Sequence, residues 1–151
     1  MAGGITVGLA GIKELETSLD ALDSDEFLDV IARELHRSGE DVMGDSKENY
    51  VPVMDGALRN SGHVSEPERI PDGVRVEIGF GGPAASYALA VHENPRAGKT
   101  GGVSPSGQKY RKWAKVGQWK YLETPLKKAT PQIEKNLHAV IESYLSTKEK
   151  R

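Results

Sequence analysis

Four histidines, His36, His63, His92 and His138, are the side chains best suited to acid–base or metal chemistry in this chain, and no two of them fall at metal-ligand spacing. There is no cysteine, so thiolate nucleophiles and disulfides are excluded and a metal would have to rely on histidine and carboxylate. The adjacent pair His92-Glu93 is the one candidate for a reactive site. The sequence favours a plainer reading of it, as polar residues closing an exposed strand. "GFGGPAAS" clusters glycines without the lysine and hydroxyl of a phosphate loop, and no serine nucleophile elbow occurs. Neither catalysis nor a bound metal or cofactor is expected.

A second constellation is basic and aromatic. Between residues 94 and 120 lie Arg96, Lys99, Lys109, Arg111, Lys112, Lys115 and Lys120 with no acid, interleaved with Tyr110, Trp113 and Trp119. Such a segment can stack on bases while its cations meet phosphates, which makes a nucleic-acid-binding module one reading. Trp, Tyr and Arg are also the anchors of protein interfaces, and that reading has a matching surface. Residues 1–50 carry twelve acids against four bases, so the net charge of −2 conceals opposed ends able to steer one copy toward the next.

These groups need elements to hold them. A chain of 151 residues suits a single domain spanning 1–151, with a flexible arm at about 94–118, where Gly, Pro, Ser and Lys show little periodicity, and a frayed tail at about 146–151. No run of 18 apolar residues occurs and the N-terminus lacks a basic leader, so a soluble, unsecreted protein is expected.

Ile5-Thr6-Val7 is a β-type run, and Leu9, Ile12, Leu15, Leu19 and Leu22 then fall at helical spacing. Asp23 with Glu26 can form a capping box opening a first long helix. Leu28, Ile31, Leu35, Val42 and Met43 form its apolar stripe, Gly39 and Gly44 weaken it, and Pro52 ends it. The period changes to two in "GVRVEIGF", where Val74, Val76, Ile78 and Phe80 alternate with Arg75, Glu77 and Gly79. Pro71-Asp72-Gly73 predicts a turn, hence a hairpin pairing 61–66 with 74–80. Residues 87–92 read as a third strand, with Tyr87, Leu89 and Val91 on one face. Leu122, Leu126, Ala129, Ile133, Leu137, Val140 and Tyr144 predict a C-terminal helix, with Thr124 as its N-cap, Pro125 at its first position and a kink or restart at Pro131.

One stretch fits neither core nor linker. "YVPVMDGALRNSGHV" packs Pro52, Gly56, Leu58, Arg59 and Gly62 into a corner between helix and strand. Its "VPVMDGALRNSGHV" resembles a segment of the tail-completion, or minor tail-component, proteins of long-tailed double-stranded DNA phages: a proline, a few residues, then Gly-x-Leu-Arg-x-Ser. "YALAVHENPRAG" is similar to that family's Tyr-Ala strand ending in His-Glu-Asn, and "VGQWKYLETPLKKA" to the Gly-Gln-x-Lys-aromatic-Leu-Glu stretch opening its last helix. The three occur in the family's order from Pro52 to Ala129. Asp55 departs from the threonine expected before the glycine, and residues 96–116 match no pattern of the family.

The resemblance implies an α+β fold: a small curved antiparallel sheet packed against a long helix in the N-terminal half and a C-terminal helix, with a long basic loop. It implies a structural virion protein of the phage neck, made in the host bacterial cytoplasm. Such a protein assembles with itself into a ring, of six copies by expectation, and contacts neighbouring head-completion and tail-tube proteins. Non-specific contact with DNA in the lumen, and no membrane partner, complete the implication. The corner would then turn the chain from helix into sheet, burying Leu58 and freeing Arg59 for a carboxylate. Arg96, Lys99, Lys109, Tyr110, Arg111, Lys112, Trp113, Lys115 and Trp119 would make subunit or partner contacts.

Overall fold

The computed structural model describes residues 4–10, 24–53, 56–97, 102–103, 109–110 and 117–149. The fold is mixed α+β, an open antiparallel sheet with one long helix packed on it and a second long helix packed on the first. The alternating segment forms the central strand of the sheet. Strand β1 (Ile5–Ala10) pairs antiparallel along one side of β4 (Gly73–Phe80), and the short strands β2 (His63–Val64) and β3 (Glu68–Ile70) share its other side. The predicted 71–73 turn joins β3 to β4, with Gly73 at φ 139°. Val64 opposes Ile78 and Glu68 opposes Arg75, so residues 65–67 face only Val76 and Glu77. That one-residue bulge is held by Ser65, whose N–H donates to Glu77 O at 2.7 Å and whose Oγ accepts from Glu77 N at 2.9 Å.

Val74, Val76, Ile78 and Phe80 are all buried and meet helix α1 (Ser24–Asp45). Gly39, which the sequence alone marks as a weak point, is where α1 crosses the sheet. A Cβ there would stand 3.1 Å from Val64 Cγ1 and 3.3 Å from Ile78 Cγ2. Phe27, Ile31, Ala32, Leu35, Val42 and Met43 are buried along the helix, with Leu28 half-buried. Ser46–Tyr50 closes α1 in a wider π turn, and Val51 leaves it extended at ψ 125°, the conformation Pro52 demands of its predecessor.

Helix α4 (Glu123–Glu149) packs against α1. Phe27 near the start of α1 meets Tyr144 late in α4, ring centroids 5.4 Å apart, while Asp45 at the far end of α1 lies with Ala129 and Gln132 beside one small cleft. The two helices therefore run antiparallel. Ile133, Leu137, Ile141 and Tyr144 carry the buried stripe.

Several expectations are corrected. Residues 87–92 are not a strand: helix α3 (Ala88–His92) follows a 3-10 turn at Pro83–Ala85. Ala88 and His92 are buried at helical spacing, whereas Leu89, placed on the inner face by a two-residue period, is 47% exposed. Leu9 belongs to β1; the rest of the amphipathic run and the Asp23 cap lie outside the described residues. Helix α4 starts at Glu123, so Thr124 is inside it rather than capping it. Pro131 neither restarts the helix nor breaks it, and it stands on the exposed side. The helix also continues through residues 146–149, beyond the point where fraying is expected. Within the arm, β5 (Gly102–Val103) pairs with β6 (Lys109–Tyr110). No helix among the described residues is long and apolar enough to cross a membrane.

Candidate functional site

The end of α3 and the start of α4 meet in a polar knot built around His92. Its ring is 4% exposed and packs edge-on to Tyr121, centroids 5.0 Å apart. Reading His92 as a residue of an exposed strand terminus is therefore wrong, because one helical turn carries it inward together with Ala88. Nδ1 lies 2.7 Å from Glu93 Oε1, and the backbone N–H of Glu123 points at Nε2 across 3.4 Å. An N–H can only donate, so Nε2 is the acceptor and Nδ1 carries the proton. The imidazole thus accepts from one of the first-turn amides of α4, which the helix itself leaves without partners.

Lys120 ties the knot from the other side. Its Nζ donates to both oxygens of Glu93 at 2.8 and 2.7 Å and lies 3.0 Å from Glu123 Oε2. Lys127 bonds Glu123 at 2.5 Å. The Lys127 and Lys120 ammoniums hold the Glu123 carboxyl down to about 2, and Lys120 with His92 lowers Glu93 below the ordinary carboxylate value. Lys120 N donates to His92 O at 2.8 Å, and Lys120 adopts φ 53°, an uncommon conformation for a residue with a side chain.

Tyr121 is the buried centre. Its hydroxyl donates to Ala88 O at 2.7 Å, its carbonyl accepts from Ser46 Oγ at 2.7 Å, and its ring meets Phe80 edge-on at 5.2 Å. Burial pushes the phenol well above its usual range, so it is held neutral. These polar groups are committed to one another, and the arrangement works as a strut. Among the described residues no group of three or more His, Cys, Asp or Glu is placed to hold a metal ion.

The corner lies against the same centre. Gly56 adopts φ 85° ahead of the one-turn helix α2 (Ala57–Asn60), Leu58 is buried, and Pro52 is fully buried. Gly62 is packed so tightly that a Cβ would stand 2.6 Å from Phe80 Cε1 and 2.7 Å from Met43 Sδ. Arg59 is exposed and has no ion-pair partner among the described residues. Gln118 N donates to Tyr50 O at 2.9 Å, joining the corner to the segment before α4.

Comparison of the chain with protein-family models, curated proteins and solved structures finds no match.

Of the arm residues singled out by sequence, Trp119 is 37% exposed with Lys120 Nζ 5.9 Å from its ring centroid, and Arg96 is exposed. Lys109 and Tyr110 lie in β6, in a two-stranded sheet separate from the main one. Lys99, Arg111, Lys112, Trp113 and Lys115 lie outside the described residues. Sequence reasoning missed Tyr121, Lys120 and Glu123 as partners of His92-Glu93. The signal for them was the dense charge of "KYLETPLKK", legible only once the two segments are known to touch.

Proposed function

We propose that this chain is a structural protein of the neck of a long-tailed phage virion, a tail-completion protein that forms a ring at the head-proximal end of the tail and joins it to the DNA-filled head. One observation supports the reading: the three segments that resemble the tail-completion family occur in the family's order, and the third packs against each of the other two. Pro52 of the first lies against Gly117 of the third, and Ala88 of the second receives the Tyr121 hydroxyl of the third. Short matches scattered by chance have no reason to share a core.

In this reading the knot sets the position of α4 and presents Trp119 and the basic arm to a neighbour, while the acid-rich N-terminal half receives them. Copies of the chain, the head-completion protein above and the tail-tube protein below are the partners, and lysines facing the lumen touch DNA without sequence preference. No chemical step is assigned to the protein.

Size-exclusion chromatography with light scattering, alone and with the neighbouring neck proteins, tests this. A ring, or a ring formed on contact with a partner, is expected. Hydrogen exchange across residues 94–118 is expected to be fast in the isolated chain and slow in the assembly, because ordering a long loop costs entropy that only new contacts offset. Trp113→Ala is expected to weaken assembly more than Lys99→Ala. A chain that stays monomeric with every partner, yet binds DNA tightly with a steep salt dependence, sinks the neck reading in favour of a nucleic-acid-binding module.

A further inference from the structure

Buried side-chain polar atoms are paired throughout the described residues, with one exception. Ser38 Oγ has no hydrogen-bond partner there, although Ser38 is only 2% exposed. It stands at the floor of a cleft of about 110 Å3 between α1 and α4, where the carboxylates of Asp41 and Asp45 are also gathered. Val42, Ala129 and Ile133 make the apolar part of the lining, and the side-chain amides of Gln132 and Asn136 close the α4 side.

We propose that this cleft is a binding site for a primary alkylammonium group, the chemistry shared by a lysine side chain and a free amine. The reason is a surplus of acceptors. Arg37 Nη1 donates to Asp41 Oδ2 at 3.1 Å and Asn49 Nδ2 to Asp45 Oδ1 at 2.6 Å, so each carboxylate keeps one oxygen without a partner among the described residues. Ser38 and Asp41 are three residues apart on α1, which makes them surface neighbours with Cβ atoms about 5–6 Å from each other. An ammonium has donors and no acceptor, so Ser38 Oγ and Asp41 Oδ1 can each take one N–H while the next turns to water on the Asp45 side. The methylene stem then lies along Val42, Ala129 and Ile133, as the stems of amphipathic side chains do.

Charge agrees with this ligand. Glu34 accepts from Arg37 Nε at 3.1 Å, so three carboxylates, Glu34, Asp41 and Asp45, stand against one guanidinium. They are not placed to share a metal ion, which leaves a single positive charge as the complement. No lysine among the described residues pairs with Asp41 or Asp45; both are held only by Arg37 and Asn49. The acid-free segment 94–120 carries several lysines, so another copy of the chain is one source of the ammonium and a free amine is the other.

The test follows the side-chain amide resonances of Gln132 and Asn136 in the full chain as n-butylammonium is added at constant ionic strength. Tetramethylammonium, which has the charge but no N–H, is the control. Both amides are expected to shift saturably with n-butylammonium, with a dissociation constant on the order of 1 mM for so small a ligand, and to stay in place with the control. Asp41→Asn and Ser38→Ala are each expected to weaken binding about tenfold or more. The Asp41 side chain is 70% exposed and Ser38→Ala removes only a hydroxyl, so both variants are expected to fold.

Where the ammonium belongs to a lysine of another copy, the same shifts grow with protein concentration, and n-butylammonium returns the sedimenting mass toward the 16.4 kDa chain. Where it belongs to a free amine, only added amine moves the resonances. Either result upholds the site. Equal shifts with tetramethylammonium, shifts that never saturate, or wild-type affinity in both variants overturn it, and so does displacement of the amine by magnesium or calcium at the same ionic strength. The neck reading fails separately: a chain that binds the amine yet never forms a ring keeps this site and loses that reading.

Discussion

Gly117 lies directly on Pro52: a Cβ built on Gly117 would stand 2.7 Å from Pro52 Cα, and Gly117 adopts φ 138°. Two segments 65 positions apart in sequence thus meet backbone to backbone, at the place where the chain leaves the α1 corner and where it approaches α4.

Gly117→Ala is therefore expected to destabilise the fold by about 2 kcal/mol or more, since the methyl group has neither space nor a relaxed backbone conformation there. Gly44 supplies the opposite control. It lies within α1, and a Cβ added to it would meet nothing within 4 Å, so Gly44→Ala should stabilise by up to about 1 kcal/mol. Urea unfolding midpoints of the two variants check both signs.

The corner should behave as core on one side and surface on the other. Leu58→Ala is expected to cost about 2–5 kcal/mol, as deletions of buried leucine do, and Leu58→Asp more. Gly56→Val should also destabilise, because φ 85° is strained for a β-branched residue. Arg59→Ala should leave the thermal melt unchanged and weaken assembly. Neutral melts for all three core-side changes would show that the corner does not hold the fold.

What could be read from the sequence was what repeats locally. The β4 alternation and the stripes of α1 and α4 each extend over enough residues for one period to win. Residues 87–92 were too few: Tyr87, Leu89 and Val91 alternate, yet Ala88 and His92 also stand one turn apart. Tertiary contact settles the matter through the Tyr121 hydroxyl on Ala88 O. The β1–β4 ladder and the His92–Glu123 bond were not legible at all, because each joins residues whose proximity no local pattern encodes. Gly39 looked like a defect for the same reason; its value lies in Val64 and Ile78 across the layer.

Ser38 offers a test of packing between the long helices. It is 2% exposed, and its Oγ has no hydrogen-bond partner among the described residues, at a small cleft shared with Ile133 and Asn136 of α4. A buried hydroxyl without a partner costs about 1–3 kcal/mol of desolvation. Ser38→Ala should accordingly be neutral or stabilising. A clear loss of stability in calorimetry would mean that the hydroxyl does have a partner in solution.

The knot predicts how stability depends on pH, with a separate limb on each side. Glu123, bonded first by Lys127 and then by Lys120, has its carboxyl lowered from an ordinary 4.5 to about 2, and Glu93 is lowered by Lys120 and then His92. A carboxylate with a depressed folded pKa contributes stability that is fully present above its unfolded value and is lost as pH falls through the folded one. For Glu123 that window runs from about 4.5 down to about 2. Both carboxylates are open to solvent, so the acid limb should be shallow and should shrink further in high salt. On the alkaline side the sign reverses. Tyr121 is raised from 10.0 by burial, and Lys120 is raised from 10.5 by Glu93 and then Glu123. Their contributions are complete below the unfolded values and are lost as pH rises beyond them. Glu123→Gln should flatten the acid limb and leave the Tyr121 part of the alkaline one. Tyr121→Phe should remove that part while lowering stability at neutral pH, because Ala88 O loses its donor. Unfolding free energies measured from about pH 2 to about pH 11 on the three proteins check this, a range that covers the acid limb and the onset of the alkaline one. An acid limb unchanged in Glu123→Gln would show that the Lys120–Glu123–Lys127 contacts do not persist in solution.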